Sequence, residues 1–179
     1  MGLRKASAYS KKKVLPFTRS SKKRTKSFIK TMPPSKIVKF EMGKGSDFAS
    51  GKLLHVLKVI SLENVQIRNN SFEACRQYIN KKLEKELGGQ YFFKIVPYPH
   101  HVQRENKMIT GAGADRMQTG MQLSFGKSMN KAAIVKKGAV IFILAVANEK
   151  AANFARKVLK QVNPKLPGKI RIDYEKISK

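Results

Sequence analysis

The chain has 179 residues, with 38 Lys and Arg against 11 Asp and Glu and a net charge of +27 at pH 7. Its length fits one domain with an extension, and a hydrophobic fraction of 41% is enough for a packed core. So large a charge does not choose a fold; it chooses a partner, and nucleic acid is the commonest polyanion.

A membrane surface is the alternative, and it fits poorly. The longest apolar run, residues 139–147, is far short of the roughly 20 residues that span a bilayer. No apolar stretch follows the first charges as it would in a secretory signal. The single cysteine, Cys75, permits no internal disulfide and fits a reducing cytosol. Its place on an apolar helix face marks it as a small core residue.

In chain order, residues 1–34 form a basic arm. The first 30 residues hold eleven Lys and Arg and no acid, among them Lys11, Lys12, Lys13, Arg19, Lys22, Lys23, Arg24 and Lys26. Alone in water such a segment repels itself, so it is expected to order only on a polyanion. Pro16 and Phe17 interrupt the charges with groups that can dock. A nuclear-targeting signal is also compatible with these short runs. Pro33 and Pro34 end the arm by forcing extended geometry on the residue before each.

Residues 35–179 read as a single domain. "SKIVKFEM" (35–42) predicts a strand and "GKGS" (43–46) a turn. "LLHVLKVI" (53–60) is open between helix and strand, and "NVQIR" (64–68) is a short strand. Phe72, Cys75, Ile79, Leu83 and Leu87 recur at three- and four-residue intervals, which predicts an amphipathic helix. Asn70 and Glu73 have the spacing of a capping box at its start, and Gly88 and Gly89 can take the left-handed geometry that stops it. "QYFFKIVPY" is an aromatic and β-branched strand, which "HHVQR" would continue past Pro97 and Pro99. "AAIVKKGAVIFILAVA" reads as two strands meeting at Gly138. A second helix starts at Asn148 and buries Ala152, Ala155, Val158, Leu159 and Val162. "KIRIDYEKI" is a last strand. The sum is an α+β fold, a two-layer sandwich of mostly antiparallel strands with two helices.

The stretch 107–127 breaks this pattern. It has four glycines, three methionines, no proline and neither period. Ordered loops longer than about 12–15 residues are uncommon and usually functional or disordered. "GKS" at 126–128 is not a P-loop, because Met121 stands where the first glycine belongs. "GAGADR" is not a dinucleotide fingerprint, because Arg116 replaces the third glycine. The three histidines, His55, His100 and His101, give no zinc spacing with one Cys. Neither a metal, a cofactor nor a catalytic group is expected. Gly111 and Gly113 instead permit close approach of backbone to another molecule. Arg104, Lys107, Arg116 and Lys127 surround that tip with cations, and arginine can fork onto phosphate or stack on a base. Thr110, Gln118 and Thr119 add uncharged hydrogen-bonding groups. Met108, Met117 and Met121 are read as anchors of the loop base. Asp115 is read as ordering the turn. This is the chemistry of a finger inserted into folded RNA.

"HVQRENKM", "GAGADRMQTGM" and "SFGK" resemble the hallmark segments of the large-subunit ribosomal protein family called sixteen in bacteria and ten-e in archaea and eukaryotes. "GAGADR" is similar to the archaeal and eukaryotic branch. The similarity runs in order over roughly residues 16–175. It implies a hammerhead-like α+β fold and a place on the large subunit between the central protuberance and the peptidyl-transferase region. It implies that residues 105–130 form an extended loop in which Met108, Ile109, Thr110, Gly111, Ala112, Gly113, Ala114, Asp115 and Gln118 lie near tRNA and help shape the aminoacyl-tRNA site. The implied partners are large-subunit rRNA, with 5S rRNA as a further candidate, tRNA, neighbouring large-subunit proteins and late assembly factors, in the cytoplasm. Three positions depart from the pattern: Gln122 stands for an Arg, Glu105 for an apolar residue and Ser128 for a Pro. An RNA-modifying enzyme is the alternative and lacks an acid–base pair or cofactor pocket. A DNA-compacting protein would have no need of the Gly-Ala-Gly-Ala segment.

Overall fold

A computed structural model describes residues 5–10, 29, 31–105 and 127–177. The strands are β1 (Glu41–Gly43), β2 (His55–Ser61), β3 (Val65–Arg68), β4 (Tyr91–Ile95), β5 (His101–Glu105), β6 (Lys127–Val135), β7 (Val140–Val146) and β8 (Ile170–Lys176). The helices are α1 (Gly45–Ala49), α2 (Asn69–Leu87) and α3 (Glu149–Gln161), followed by a 3-10 turn at Asn163–Lys165. Five strands form one sheet in the order β1-β4-β7-β2-β8, and three form a second in the order β3-β6-β5. Every pairing among the described residues is antiparallel, so the α+β expectation holds.

The large sheet sorts its residues by strand alternation. Leu57, Leu144 and Phe93 stand side by side across β2, β7 and β4, as do Val59, Phe142 and Ile95. These six face α2 and α3 and are almost completely buried. The opposite face carries Val56, Ala145 and Phe92, a smaller cluster with Leu53 that is covered by Phe48 of α1. Phe48 stacks on Phe92 with ring centroids 4.7 Å apart. The apolar run that could not span a bilayer is the central strand β7 of this sheet. No helix among the described residues is long and apolar enough to cross a membrane.

Of the stripe read from the sequence, α2 buries Phe72, Cys75, Ile79 and Leu83 completely, while Leu87 in its last turn is half-buried. It touches β4 of the large sheet, β3 and β6 of the small sheet, and α3. Phe72 meets Phe142 edge-on at 6.1 Å. Burial pushes the Cys75 thiol up to about 12, so this cysteine is a packing group and not a nucleophile. The single proton of the Tyr91 hydroxyl is shared between Asn80 Oδ1 at 2.7 Å and Glu84 Oε2 at 2.9 Å, which ties β4 to the same helix.

The structure corrects several details. Of the strand expected at 35–42 only Glu41 and Met42 pair, and the strand runs on to Gly43. Ile37 is buried but Val38 is 72% exposed, so this stretch is an irregular strap pinned at Ile37. Pairing stops at Gly43, whose φ is +85° and where an added Cβ would lie 2.0 Å from the Tyr91 carbonyl oxygen. The capping box is not formed. Arg68 is the N-cap of α2, in extended geometry and without a side-chain cap. Asn148 is the N-cap of α3, also without a side-chain hydrogen bond. β5 does not continue β4 but belongs to the other sheet, because the chain changes direction through Pro97 and Pro99. β6 and β7 likewise enter different sheets across the Gly138 turn, where φ is +84°. The short helix α1 stands where only a turn was expected.

Glu73 has a different task from capping. It accepts from Arg76 at 2.8 and 2.6 Å, from Gln77 at 3.0 Å and from the Val38 amide at 3.3 Å. It therefore fastens the 31–40 strap to α2. The Arg76 guanidinium, helped by Gln77 and the Val38 N–H, holds the Glu73 carboxyl below its ordinary range against the opposing effect of burial.

Leu83→Ala should cost about 2–5 kcal/mol, while Lys82→Ala and Lys85→Ala, off the apolar stripe, should stay within about 0.5 kcal/mol. Chemical denaturation ranks the three. For Glu73 the folded pKa lies below the unfolded value of ~4.3. Its stabilisation is therefore complete above that pH and is lost as pH falls through the folded value. Glu73→Gln should flatten the acid loss of stability below about pH 4, measured by urea denaturation at successive pH values. An unchanged acid slope would show that the Glu73 contacts carry no stability.

Candidate nucleic-acid interface

The small sheet has one apolar face and one polar face. Val65 opposite Val135 and Ile67 opposite Ala133 face the core. Gln66 lies opposite Ile134, Arg68 and His101 both lie opposite Ala132, and Gln103 lies opposite Asn130. Gln66, Arg68 and His101 are nonetheless buried. Part of their cover is the N-terminal segment Lys5–Ser10. The Gln66 amide donates to the Ser10 carbonyl at 2.9 Å, Gln66 Nε2 to the Tyr9 carbonyl at 2.8 Å, and Arg68 Nη2 to the Lys5 carbonyl at 2.6 Å. Carbonyls are acceptors only, so a glutamine and an arginine are the side chains suited to hold them. The start of the basic arm is thus seated on β3. The sequence carried the signal for this in the alternation of "NVQIR", where every second residue is polar.

β5 and β6 pair antiparallel, with Arg104 opposite Ser128 and Glu105 opposite Lys127. The chain between them, 106–126, therefore leaves and returns at neighbouring positions on two paired strands, about 5 Å apart. A register shift between Gln103 and Arg104 marks a bulge just before the exit. Bulges bend a strand, increase its local twist and re-aim the residues beyond them. Glu105 is the last residue of β5, at the base of the hairpin.

Of the sequence-predicted site residues, the structure describes Arg104 and Lys127, whose backbones occupy successive positions of the ladder at this base. Lys11, Lys12, Lys13, Arg19, Lys22, Lys23, Arg24, Lys26, Lys107 and Arg116 lie outside the described residues. So do Met108, Ile109, Thr110, Gly111, Ala112, Gly113, Ala114, Asp115 and Gln118. His100 and His101 diverge as alternation requires, one exposed and one buried. Among the described residues no group of three His, Cys, Asp or Glu is placed to hold a metal ion.

A strongly cationic α+β scaffold that carries a long glycine-rich segment on a paired hairpin is the form of a nucleic-acid-binding protein. The comparison with known proteins makes the class specific: the chain belongs to the family described as ribosomal protein L16p/L10e, whose model matches residues 16–173. This is a structural family and not an enzyme family. The chain is 40% identical over 176 residues to the large ribosomal subunit protein uL16 of Staphylothermus marinus, covering 98% of this chain and 95% of that one. It is 37% identical to the uL16 of Thermofilum pendens, covering 98% of both chains. It is 40% identical over 150 residues to the uL16 of Saccharolobus islandicus, covering 83% of this chain and 82% of the relative.

Proposed function

We propose that this chain is a structural constituent of the large ribosomal subunit. In this reading it binds large-subunit rRNA near the central protuberance and the peptidyl-transferase region and helps shape the aminoacyl-tRNA site during translation. The observation that carries the reading is the hairpin register. It fixes both ends of the 106–126 segment on paired strands, beyond a sheet whose apolar face is locked into the core. A loop mounted this way can be aimed by the scaffold while its own residues, which supply no apolar face, contact another molecule. The "GAGADR" segment offers small residues and an arginine to that molecule, a combination suited to a crowded phosphate-lined site.

The remaining charge has a separate role. The cations of the arm and surface supply attraction to phosphate that does not depend on sequence. The loop contributes few charges and acts through position. The partners of this proposal are rRNA, tRNA, adjoining large-subunit proteins and late assembly factors, and the place of work is the ribosome in the cytoplasm. The RNA-modifying alternative has no support in a structural family.

Deleting Thr110–Arg116 should leave the fold intact and the protein able to enter large subunits. Those subunits should then bind tRNA more weakly or mature incompletely. Sedimentation of tagged protein, paired with tRNA binding by the purified subunits, measures both. Normal incorporation together with wild-type tRNA binding and translation would make 110–116 a passive surface loop.

A further inference from the structure

The two long helices pack side by side but face solvent with different charge. α2 mixes Lys81, Lys82 and Lys85 with Glu84 and Glu86. α3, after Glu149 in its first turn, exposes Lys150, Arg156, Lys157 and Lys160 and no acid. A cation in the last turn favours its own helix through the macrodipole, which accounts for Lys160 but not for Arg156 or Lys157. Arg156 and Lys160, one turn apart, line a groove of about 380 Å³ together with Asn163, Ile170, Arg171 and Ile172. The far side of the groove is β8, the edge strand of the large sheet, paired only with β2. An edge strand offers backbone N–H groups with no partner strand. Arg171 pairs with Asp173 at 2.7 Å. Arg156 and Lys160 make no ion pair among the described residues. No described residue of β5 or β6 lines this groove.

We propose that the groove between α3 and β8 is a second RNA-binding surface, which takes the phosphodiester backbone on Arg156, Lys160 and the β8 edge. Charge complementarity selects the occupant. Ile170 and Ile172 face α3 from β8, while Arg171 and Asp173 alternate to the other side of the strand. Arg156 and Lys160 therefore set two cations on one wall of the groove, with no acid between them and the β8 edge, so an anionic chain is matched and a basic one is repelled. Phosphate contacts of this kind fix register and orientation without reading sequence. The groove lies on the large sheet and the hairpin on the small one, so the groove gives the protein a second hold on RNA and the loop need not supply affinity. The inference rests on the ribosomal reading only for its choice of RNA as the polyanion.

The test uses the full-length chain and a duplex RNA of arbitrary sequence as probe, with binding followed by fluorescence anisotropy at several salt concentrations. Arg156→Gln with Lys160→Gln should reduce the slope of log affinity against log salt by about 2. Lys81→Gln with Lys82→Gln, which removes the same charge from α2, should leave the slope unchanged. Both pairs are exposed, and matched thermal unfolding midpoints confirm that the fold is retained. In the wild-type protein the amides of Ile170–Ile172 should exchange more slowly when the RNA is bound. Equal losses from the two double variants would reduce the groove to part of a general field and overturn the proposal, as would an unchanged slope in both. If polyglutamate slows the Ile170–Ile172 amides and RNA does not, the edge is a polypeptide site and the proposal is wrong. Loop deletion reads tRNA binding by assembled subunits, so either result can fail without the other.

Discussion

The contact on which the rest of the structure depends is the burial of α2 against both sheets at once. One stripe of Phe72, Cys75, Ile79 and Leu83 is inaccessible to solvent, and the helix that carries it touches β4 in the large sheet and β3 and β6 in the small one. Among the described residues no strand pairing joins the two sheets. Their relative placement is held by side-chain packing, and close-packed interiors resist displacement. The β5–β6 hairpin therefore stands where α2 puts it, and so do the ends of the segment proposed to meet RNA.

Charge is organised around that core rather than within it. With 38 cations and 11 acids, the chain cannot neutralise itself. The acids that pair fasten structure: Glu73 holds the strap before β1, Asp47 sits near Lys44 and Lys52 in and beside α1, and Glu41 and Glu175 pair with Lys94 and Lys58 on neighbouring strands. The more exposed pairs, such as those of Asp47, are worth about 0–1 kcal/mol, so most of the fold's stability comes from apolar burial and the surplus cations remain available to a polyanion. The cost of that surplus is self-repulsion, which a bound nucleic acid relieves. Seating Lys5–Ser10 on Gln66 and Arg68 joins the two halves of this arrangement, since it gives the basic arm a fixed starting point on the same small sheet that carries the hairpin.

The elements with a strong period were legible in the sequence. The 3.6-residue spacing of Phe72, Cys75, Ile79 and Leu83, the left-handed Gly88 and the apolar run of β7 all stand as read, since each is set by local geometry and burial. Sheet membership was not legible. β4 and β5 are separated by a few residues, as are β6 and β7, yet each pair divides between sheets, and alternation within a strand says nothing about which neighbour it pairs with. The capping box failed because Glu73 had a tertiary partner in Arg76 and the Val38 amide, which a local motif cannot foresee. The dock for Lys5–Ser10 was missed because charge counting treated the arm as uniform, although "NVQIR" showed the alternating polar side of its receptor strand. Of the site, the hairpin base at Arg104 and Lys127 has a definite place in the fold; the roles of the loop and arm residues remain proposals.

The central claim is that a self-sufficient core aims a loop whose packing partner is RNA. Amide hydrogen exchange of the full-length protein, with and without large-subunit rRNA, tests it most directly. The account predicts that exchange at residues 107–118 slows when the rRNA is added, while the amides of Ile67, Ile79 and Phe142 are as protected without RNA as with it. Exchange at 107–118 that is unaffected by rRNA, or core amides that become protected only in its presence, would contradict it.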